Sequence, residues 1–183
     1  MKKSILAIAI FAITLISSTE ISAQKFPKLD LSPLDAASYP SSYKISDKVV
    51  KVVYGRPQLK GRDLAKLAPN DKVWRTGANE AAEITFYKDV TFGGKAVKAG
   101  TYSLFTIPSS EGDWIVILST ARNVWGSYFY KQDEDVVRVS GKISKSEKSI
   151  EAFSMLFDKK MTLKMGWENT VVSVPITLAG LED

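Results

Sequence analysis

The sequence contains no cysteine and no histidine. Without cysteine the chain has no thiol nucleophile, no disulfide and no thiolate metal ligand. Without histidine it has no Ser-His-Asp triad and no imidazole base that titrates near neutral pH, and the usual zinc sites lose their main nitrogen ligand. Any catalysis must therefore use carboxylates, lysine, tyrosine or serine with lysine, and we expect neither a metal ion nor a cofactor.

Residues 1–23 have the layout of a secretory signal peptide. Lys2 and Lys3 form a basic start, the apolar run SILAIAIFAITLI covers residues 4–16, and the small residue Ala23 ends the segment. The run is shorter than the ~18–20 residues that a spanning helix needs, and nothing later in the chain is comparably apolar. The pattern predicts cleavage after Ala23, a periplasmic or secreted protein, and no stable membrane span after cleavage.

Positive charge is in mild excess, with a formal net charge of +5. The excess is scattered, since Lys142, Lys145 and Lys148 are interleaved with serine and Glu147. Such a pattern is typical of a solvated face, so we expect no nucleic-acid partner. The oligomeric state stays open.

Most of the remaining chain has the period-two pattern of β-strands. Residues 24–42 are rich in proline and serine and predict an extended arm, and residues 43–183 predict one domain. About nine strand-like runs are joined by short turns, and the Gly93-Gly94 pair favours a hairpin. The fold class expected is all-β: a single antiparallel β-sandwich or jelly-roll-like domain, with one or two short helical turns near 63–67 and 127–130.

The first long connection, residues 55–77, is rich in arginine. Arg56, Arg62 and Arg75 each present a planar fork that suits a carboxylate or a phosphate, and Trp74 stands beside Arg75. One interpretation is that these arginines pair internally, for example Arg75 with Glu80 across a turn. The other is that some of them clamp an anionic ligand beside the tryptophan. In either case Gly77 and Asn79 are expected to be turn residues that tolerate positive φ.

The second long connection, residues 120–135, contains an aromatic cluster: Trp125, Tyr128, Phe129 and Tyr130. Exposed aromatic faces bind sugars, whereas buried ones plug the open end of a β-domain. The acidic run 133–135 lacks the spacing of a calcium loop. Glu80 and Glu83 are the nearest carboxylate pair for glycoside hydrolysis, although an odd spacing in a strand directs them to opposite faces.

Several motifs resemble domain-of-unknown-function family 2911, whose members are mostly exported bacterial proteins. The motifs are YGRPQLKGR (54–62), VWRTGANEA (73–81), AGTYSLFTIP (99–108) and DVVRV (135–139). The resemblance spans nearly the whole chain after the leader and implies a β-rich domain with no established activity. The chain departs from the family at Leu64-Ala65-Lys66-Leu67, where an aromatic-glycine segment is usual, and at Ala82, where threonine is common.

The leading hypothesis is an exported binding or accessory module for a small polar ligand, either anionic or a saccharide. The alternatives are a carboxylate-dependent hydrolase that uses Glu80, and a purely structural envelope protein. The residues expected to form the ligand site are Arg56, Arg62, Trp74, Arg75, Asn79 and Glu80.

Overall fold

The structure, a computed structural model, describes residues 25–180. The predicted signal peptide lies outside this range. Within it, no helix is both long enough and apolar enough to cross a membrane. The arm between residue 25 and the domain includes a strand, Leu34–Tyr39, that pairs with Val50–Gly55 in antiparallel register.

The described part of the chain contains ten strands and a short α-helix. The helix α1 spans Leu64–Leu67, and a 3₁₀ turn spans Gln132–Glu134. The strands are β1 Leu34–Tyr39, β2 Val50–Gly55, β3 Ala82–Phe86, β4 Val90–Phe92, β5 Lys95–Val97, β6 Gly100–Ile107, β7 Trp114–Ser119, β8 Asp135–Phe157, β9 Leu163–Val174 and β10 Ile176–Leu178.

Seven strands form one strongly curled, half-barrel sheet in the order β1-β2-β3-β6-β7-β8-β9, and β10-β4-β5 form a small second sheet. The prediction of an all-β, mainly antiparallel fold is confirmed. The two sheets are, however, very unequal, so the architecture is a curled sheet with a small companion where a sandwich was expected. The predicted helical turn near 63–67 is present as α1, whereas residues 126–129 form a non-helical turn.

The curl originates in β8, which is 23 residues long. Its first part pairs with β7 and its second part with β9. The pairing with β9 shifts register between Lys145 and Ile150 and again between Ile150 and Ser154, and such irregularities bend a strand. Residues 142–149 in the middle of β8 are mostly exposed and show no alternation, so a period-two pattern does not reveal that the strand is continuous.

Aromatic side chains fill the space that the curled sheet encloses. The rings of Trp74 and Trp167 stack with centroids 5.5 Å apart, and Phe153 packs edge-on against both. Tyr54 in turn packs edge-on against Phe153. All four side chains are buried, and full burial of a large apolar side chain contributes about 1.5–3 kcal/mol. Burial of this cluster therefore stabilises the curled sheet.

The hairpin predicted at the paired glycines is confirmed. Gly93 and Gly94 have φ angles of 57° and 83° and connect β4 to β5, with Phe92 opposite Lys95. Both angles lie in the left-handed region that a two-residue primed turn requires.

Asp113 connects the start of β7 to the middle of β8. Its carboxylate accepts hydrogen bonds from Lys142 Nζ at 2.6 Å, Ser140 Oγ at 2.7 Å and the backbone N–H of Ile143 at 3.2 Å. These contacts lower the pKa of Asp113 from 3.8 to about 2, and the hydrogen bond from Lys142 has the largest effect.

We expect the Asp113→Asn variant to be less stable than the wild type at neutral pH, and the difference to vanish in acid. A carboxyl group whose pKa is lowered by folding stabilises the protein above its unfolded pKa, and that stabilisation is lost as the pH falls towards about 2. Urea unfolding measured from pH 6 to pH 2 checks this. Asp133→Asn is the control, because Asp133 is exposed and forms no ion pair within residues 25–180. A constant difference at all pH values would contradict the prediction.

Candidate functional site

The two long connections that the sequence singled out meet in space. Glu80 and Trp125 form an isolated antiparallel bridge. The backbone N–H of Ala81 donates to Val124 O at 2.9 Å, and that of Gly126 donates to Asn79 O at 3.0 Å. Residues 76–81, named here the corner loop, are thus joined to residues 123–130, named the aromatic loop.

The corner loop is a tight turn that immediately precedes β3. Arg75 O accepts a hydrogen bond from Ala82 N at 3.0 Å, which closes the base of the loop. Asn79 has a φ of 64°, as expected for this turn, whereas the second left-handed residue is Thr76, with a φ of 52°. Gly77, which we expected in that role, is not among the residues with positive φ. A left-handed β-branched residue is strained, and the buried Thr76 hydroxyl is held by Trp74 O and Thr106 Oγ1.

Two glycines allow the corner loop to lie directly on the end of β2. A Cβ atom on Gly55 would be 2.4 Å from Ala78 O, and one on Gly77 would be 3.0 Å from Gly55 O. The first distance is far inside van der Waals contact, and the second is tighter than most Cβ contacts. The glycines in these motifs are therefore explained by close approach of two backbone segments.

A cleft of about 350 Å³ lies between the corner loop, the aromatic loop, the end of β2 and the N-terminal arm. Its wall includes the exposed indole of Trp125, which is 59% accessible. None of the described residues that line the cleft is basic. Its polar lining consists of three carboxylates, two amides and a serine: Asp30, Glu80, Glu83, Asn79, Asn123 and Ser32.

Glu80 and Glu83 both line this cleft. Strand β3 begins only at Ala82, so Glu80 belongs to the corner loop and the opposite-face rule for a strand does not apply to the pair. Glu83 is held in place, since its Oε1 accepts a hydrogen bond of 2.8 Å from Asn123 N. Within residues 25–180, no group of three or more acidic side chains is placed to hold a metal ion.

Arg56 joins three parts of the fold. Its Nε donates to Phe153 O at 3.0 Å, one terminal nitrogen to Asp35 Oδ2 at 3.0 Å, and the other to Ser154 Oγ at 2.6 Å. The guanidinium thus connects β1 and the end of β2 to β8. Arg56 does not line the cleft, and its donors are used within the protein.

Arg62 and Trp74 are also placed outside the cleft. Arg62 donates from Nε to Leu59 O at 2.9 Å and from a terminal nitrogen to Gln58 O at 2.7 Å, so it stabilises the turn before α1. Trp74 belongs to the buried aromatic cluster, with its backbone bridged to Thr106. The structure therefore brings only Asn79 and Glu80, of the six expected residues, into the cleft.

Arg75 differs from the other two arginines. In the described range it forms no ion pair with Glu80 or with any other carboxylate. Its Nε is buried and has no hydrogen-bond partner. Burial lowers the pKa of Arg75, and the nearby Tyr128 opposes this shift to a smaller extent. The internal ion pair between Arg75 and Glu80, which was one interpretation of the sequence, is therefore not formed.

Comparison with protein families explains the shared motifs. The family of proteins of unknown function DUF2911 matches residues 32–176, from β1 to the start of β10. The chain belongs to this family. Searches of curated proteins and of solved structures found no match. Membership of DUF2911 supports a common fold and brings no activity or ligand with it.

The cleft residues absent from the expected site include four with large polar or aromatic side chains: Asp30, Glu83, Asn123 and Trp125. Trp125 and Glu83 carried a sequence signal, because one lies in the aromatic loop and the other belongs to the nearest carboxylate pair. Asp30 carried none, since it comes from the arm, 50 residues before Glu80 in the sequence. Only the folded chain brings these segments together.

We expect Gly55→Ala to destabilise the domain by roughly 1–3 kcal/mol, the usual cost of forcing extra atoms into a packed site. The added Cβ would collide with Ala78 O and displace the corner loop. Urea unfolding measures the loss. Gly112→Ala is the matched control, since a Cβ atom at Gly112 meets nothing within 4 Å. Equal stability of the two variants would contradict the close approach.

We expect Arg56→Lys to cost about 1–3 kcal/mol, although the charge is kept, because a lysine cannot serve Phe153 O, Asp35 and Ser154 together. The exposed Arg122 provides the control variant Arg122→Lys. Chemical unfolding of both proteins gives the comparison. If Arg56→Lys is as stable as wild type, the ion pair with Asp35 alone accounts for the role of Arg56.

Proposed function

We propose that this DUF2911 domain is an exported binding module, and that the cleft between the corner loop and the aromatic loop takes a small uncharged saccharide. The observation that supports this most is that the exposed Trp125 indole lines the same cleft as several carboxylates and amides. An indole face packs against the C–H face of a sugar ring, while carboxylates and amides hydrogen-bond to its hydroxyl groups.

The charge of the cleft favours a saccharide over an anion. Asp30, Glu80 and Glu83 line it, and no described basic side chain does. An anionic group would be repelled by each of these carboxylates, whereas a hydroxyl group donates a hydrogen bond to them. Of the two ligand classes expected from the sequence, the uncharged saccharide is therefore the one proposed for this cleft.

Each polar residue has a distinct role in this proposal. Glu83 is oriented by Asn123 N, which occupies Oε1 and leaves Oε2 for a ligand hydroxyl. Glu80 and Asn79 lie on the corner loop, whose backbone is fixed by its hydrogen bonds to the aromatic loop. In a preformed site of this kind, ligand binding orders few side chains, so the entropic cost of binding is small.

The hydrolase alternative rests on one specific observation, that two glutamates line the same cleft. A glycoside hydrolase needs two carboxylates across the scissile bond, one of which donates a proton to the leaving group. The binding module and the hydrolase would share the saccharide, so product formation distinguishes them.

We expect Trp125→Ala to weaken saccharide binding at least about tenfold, because the stacking surface is lost. Trp125 is also a reporter, since the other three tryptophans are buried and its indole is 59% exposed. Titration of a panel of neutral oligosaccharides, followed by tryptophan fluorescence and calorimetry, identifies the ligand. Glu80→Gln should weaken binding as well, and Tyr87→Ala, an exposed aromatic outside the cleft, should leave it unchanged.

Newly formed reducing ends in the same mixtures, lost in Glu80→Gln, would favour the hydrolase. If no saccharide binds, or if Trp125→Ala binds as tightly as Tyr87→Ala, the cleft proposal fails. The purely structural alternative would then gain support from Arg56 and Arg62, whose donors are used within the fold.

A further inference from the structure

We propose that Arg75 is a binding site for a small oxyanion, separate from the saccharide cleft and covered by the aromatic loop. The inference goes beyond the proposed function, since Arg75 is not among the residues that line the cleft. It rests on a buried guanidinium nitrogen, Nε, for which residues 25–180 supply no acceptor.

The backbone directs Arg75 away from the aromatic core. Trp74 and Thr106 exchange backbone hydrogen bonds of 2.7 and 3.0 Å, so the chain is extended here and successive side chains point to opposite faces. Trp74 points into the core, and Arg75 therefore projects from the outer face. Phe105 and Ile117 are buried in a second, smaller apolar cluster together with Ala81.

The aromatic loop covers this outer face. Ser127 Oγ donates to Val73 O at 2.9 Å, which ties the loop to the residue two positions before Arg75. Val124 and Tyr130 pack against the small apolar cluster. Tyr128, which belongs to the aromatic loop, is 79% exposed. Arg75 is partly buried on this face, which also carries the small apolar cluster.

A guanidinium in this position needs an acceptor. It carries five N–H donors and no acceptor of its own, and its buried Nε has no hydrogen-bond partner in the described chain. Glu80 lines the cleft, and Asp135 accepts hydrogen bonds from Arg138 and Tyr130 on Oδ2 while its buried Oδ1 has no partner, so neither carboxylate bonds to Arg75. A buried charge without a partner is unfavourable, and an unsatisfied buried donor calls for a specific explanation.

The chemistry of Arg75 defines the class of ligand. A planar fork of N–H groups binds two oxygens of a carboxylate, phosphate or sulfate at once. The ligand class is therefore a small oxyanion or an oxyanion group on a larger solute.

The test titrates the purified protein with phosphate, sulfate or acetate, with sodium chloride at matched ionic strength as the reference. Two signals are followed: the thermal midpoint, and the Nε–H resonance of Arg75 in a ¹⁵N-labelled sample. We expect a saturable rise of roughly 3–6 °C at an anion concentration about ten times Kd, with a shift of that resonance at the same concentrations. Comparison of acetate with phosphate and sulfate shows which oxyanion is preferred.

Four variants make the test specific. Arg75→Gln should lose the saturable rise, and Arg75→Lys should bind at least about tenfold more weakly because it lacks the fork. Arg122→Gln removes the same charge from an exposed site and should respond as wild type. Trp125→Ala should also keep the anion response, which separates this site from the cleft.

Equal stabilisation of Arg75→Gln and Arg122→Gln would overturn the proposal, because the anion would then act on net charge alone. A resonance of Arg75 that does not move with any of the three anions would also overturn it. If Arg75→Gln does not fold, that resonance in the wild type and in Arg122→Gln decides the outcome.

Discussion

The curl of the large sheet depends on contacts between two segments almost a hundred residues apart. Leu59 N donates to Glu151 O at 3.0 Å and Phe153 N to Pro57 O at 2.9 Å, and Arg56 adds its three side-chain hydrogen bonds beside them. Strand β8 reaches this position only because it bends, so its register shifts and the Arg56 contacts act together. The enclosed aromatic cluster is buried as a consequence.

The same closure forms the surface on which both proposed sites lie. With β2 held against β8, its last residue, Gly55, becomes a support on which the corner loop rests through Ala78. The corner loop in turn holds the aromatic loop through backbone hydrogen bonds. The result is an acidic cleft with an exposed indole and, outside its lining, a partly buried arginine whose Nε has no hydrogen-bond partner among residues 25–180. The two ligands we propose for these features differ in character, since one offers hydroxyl groups and the other is an oxyanion.

The local elements were the most predictable part of the protein. The Gly93-Gly94 hairpin, the helical turn near 63–67 and most strands follow from residue type and period-two patterning, which act over a few residues. The bend of β8 could not be predicted, because its exposed residues 142–149 show no alternation. Arg56 was equally ambiguous in the sequence: a guanidinium suits a ligand carboxylate and Asp35 alike, and only the neighbouring β1 and β8 decide between them.

By itself, the sequence determined the all-β class, the positions of the turns and the absence of thiol and imidazole chemistry, because these depend on composition and on local backbone preference. The tertiary structure decided the rest. In the folded chain Arg56, Arg62 and Trp74 stabilise the fold. The residues that line one cleft together come from separate segments: Asp30, Asn79, Glu80, Glu83, Asn123 and Trp125. Among the residues that the structure describes, it also leaves the buried Nε of Arg75 without an acceptor. Such assignments depend on distances between segments far apart in the chain, and local patterning carries no information about those distances.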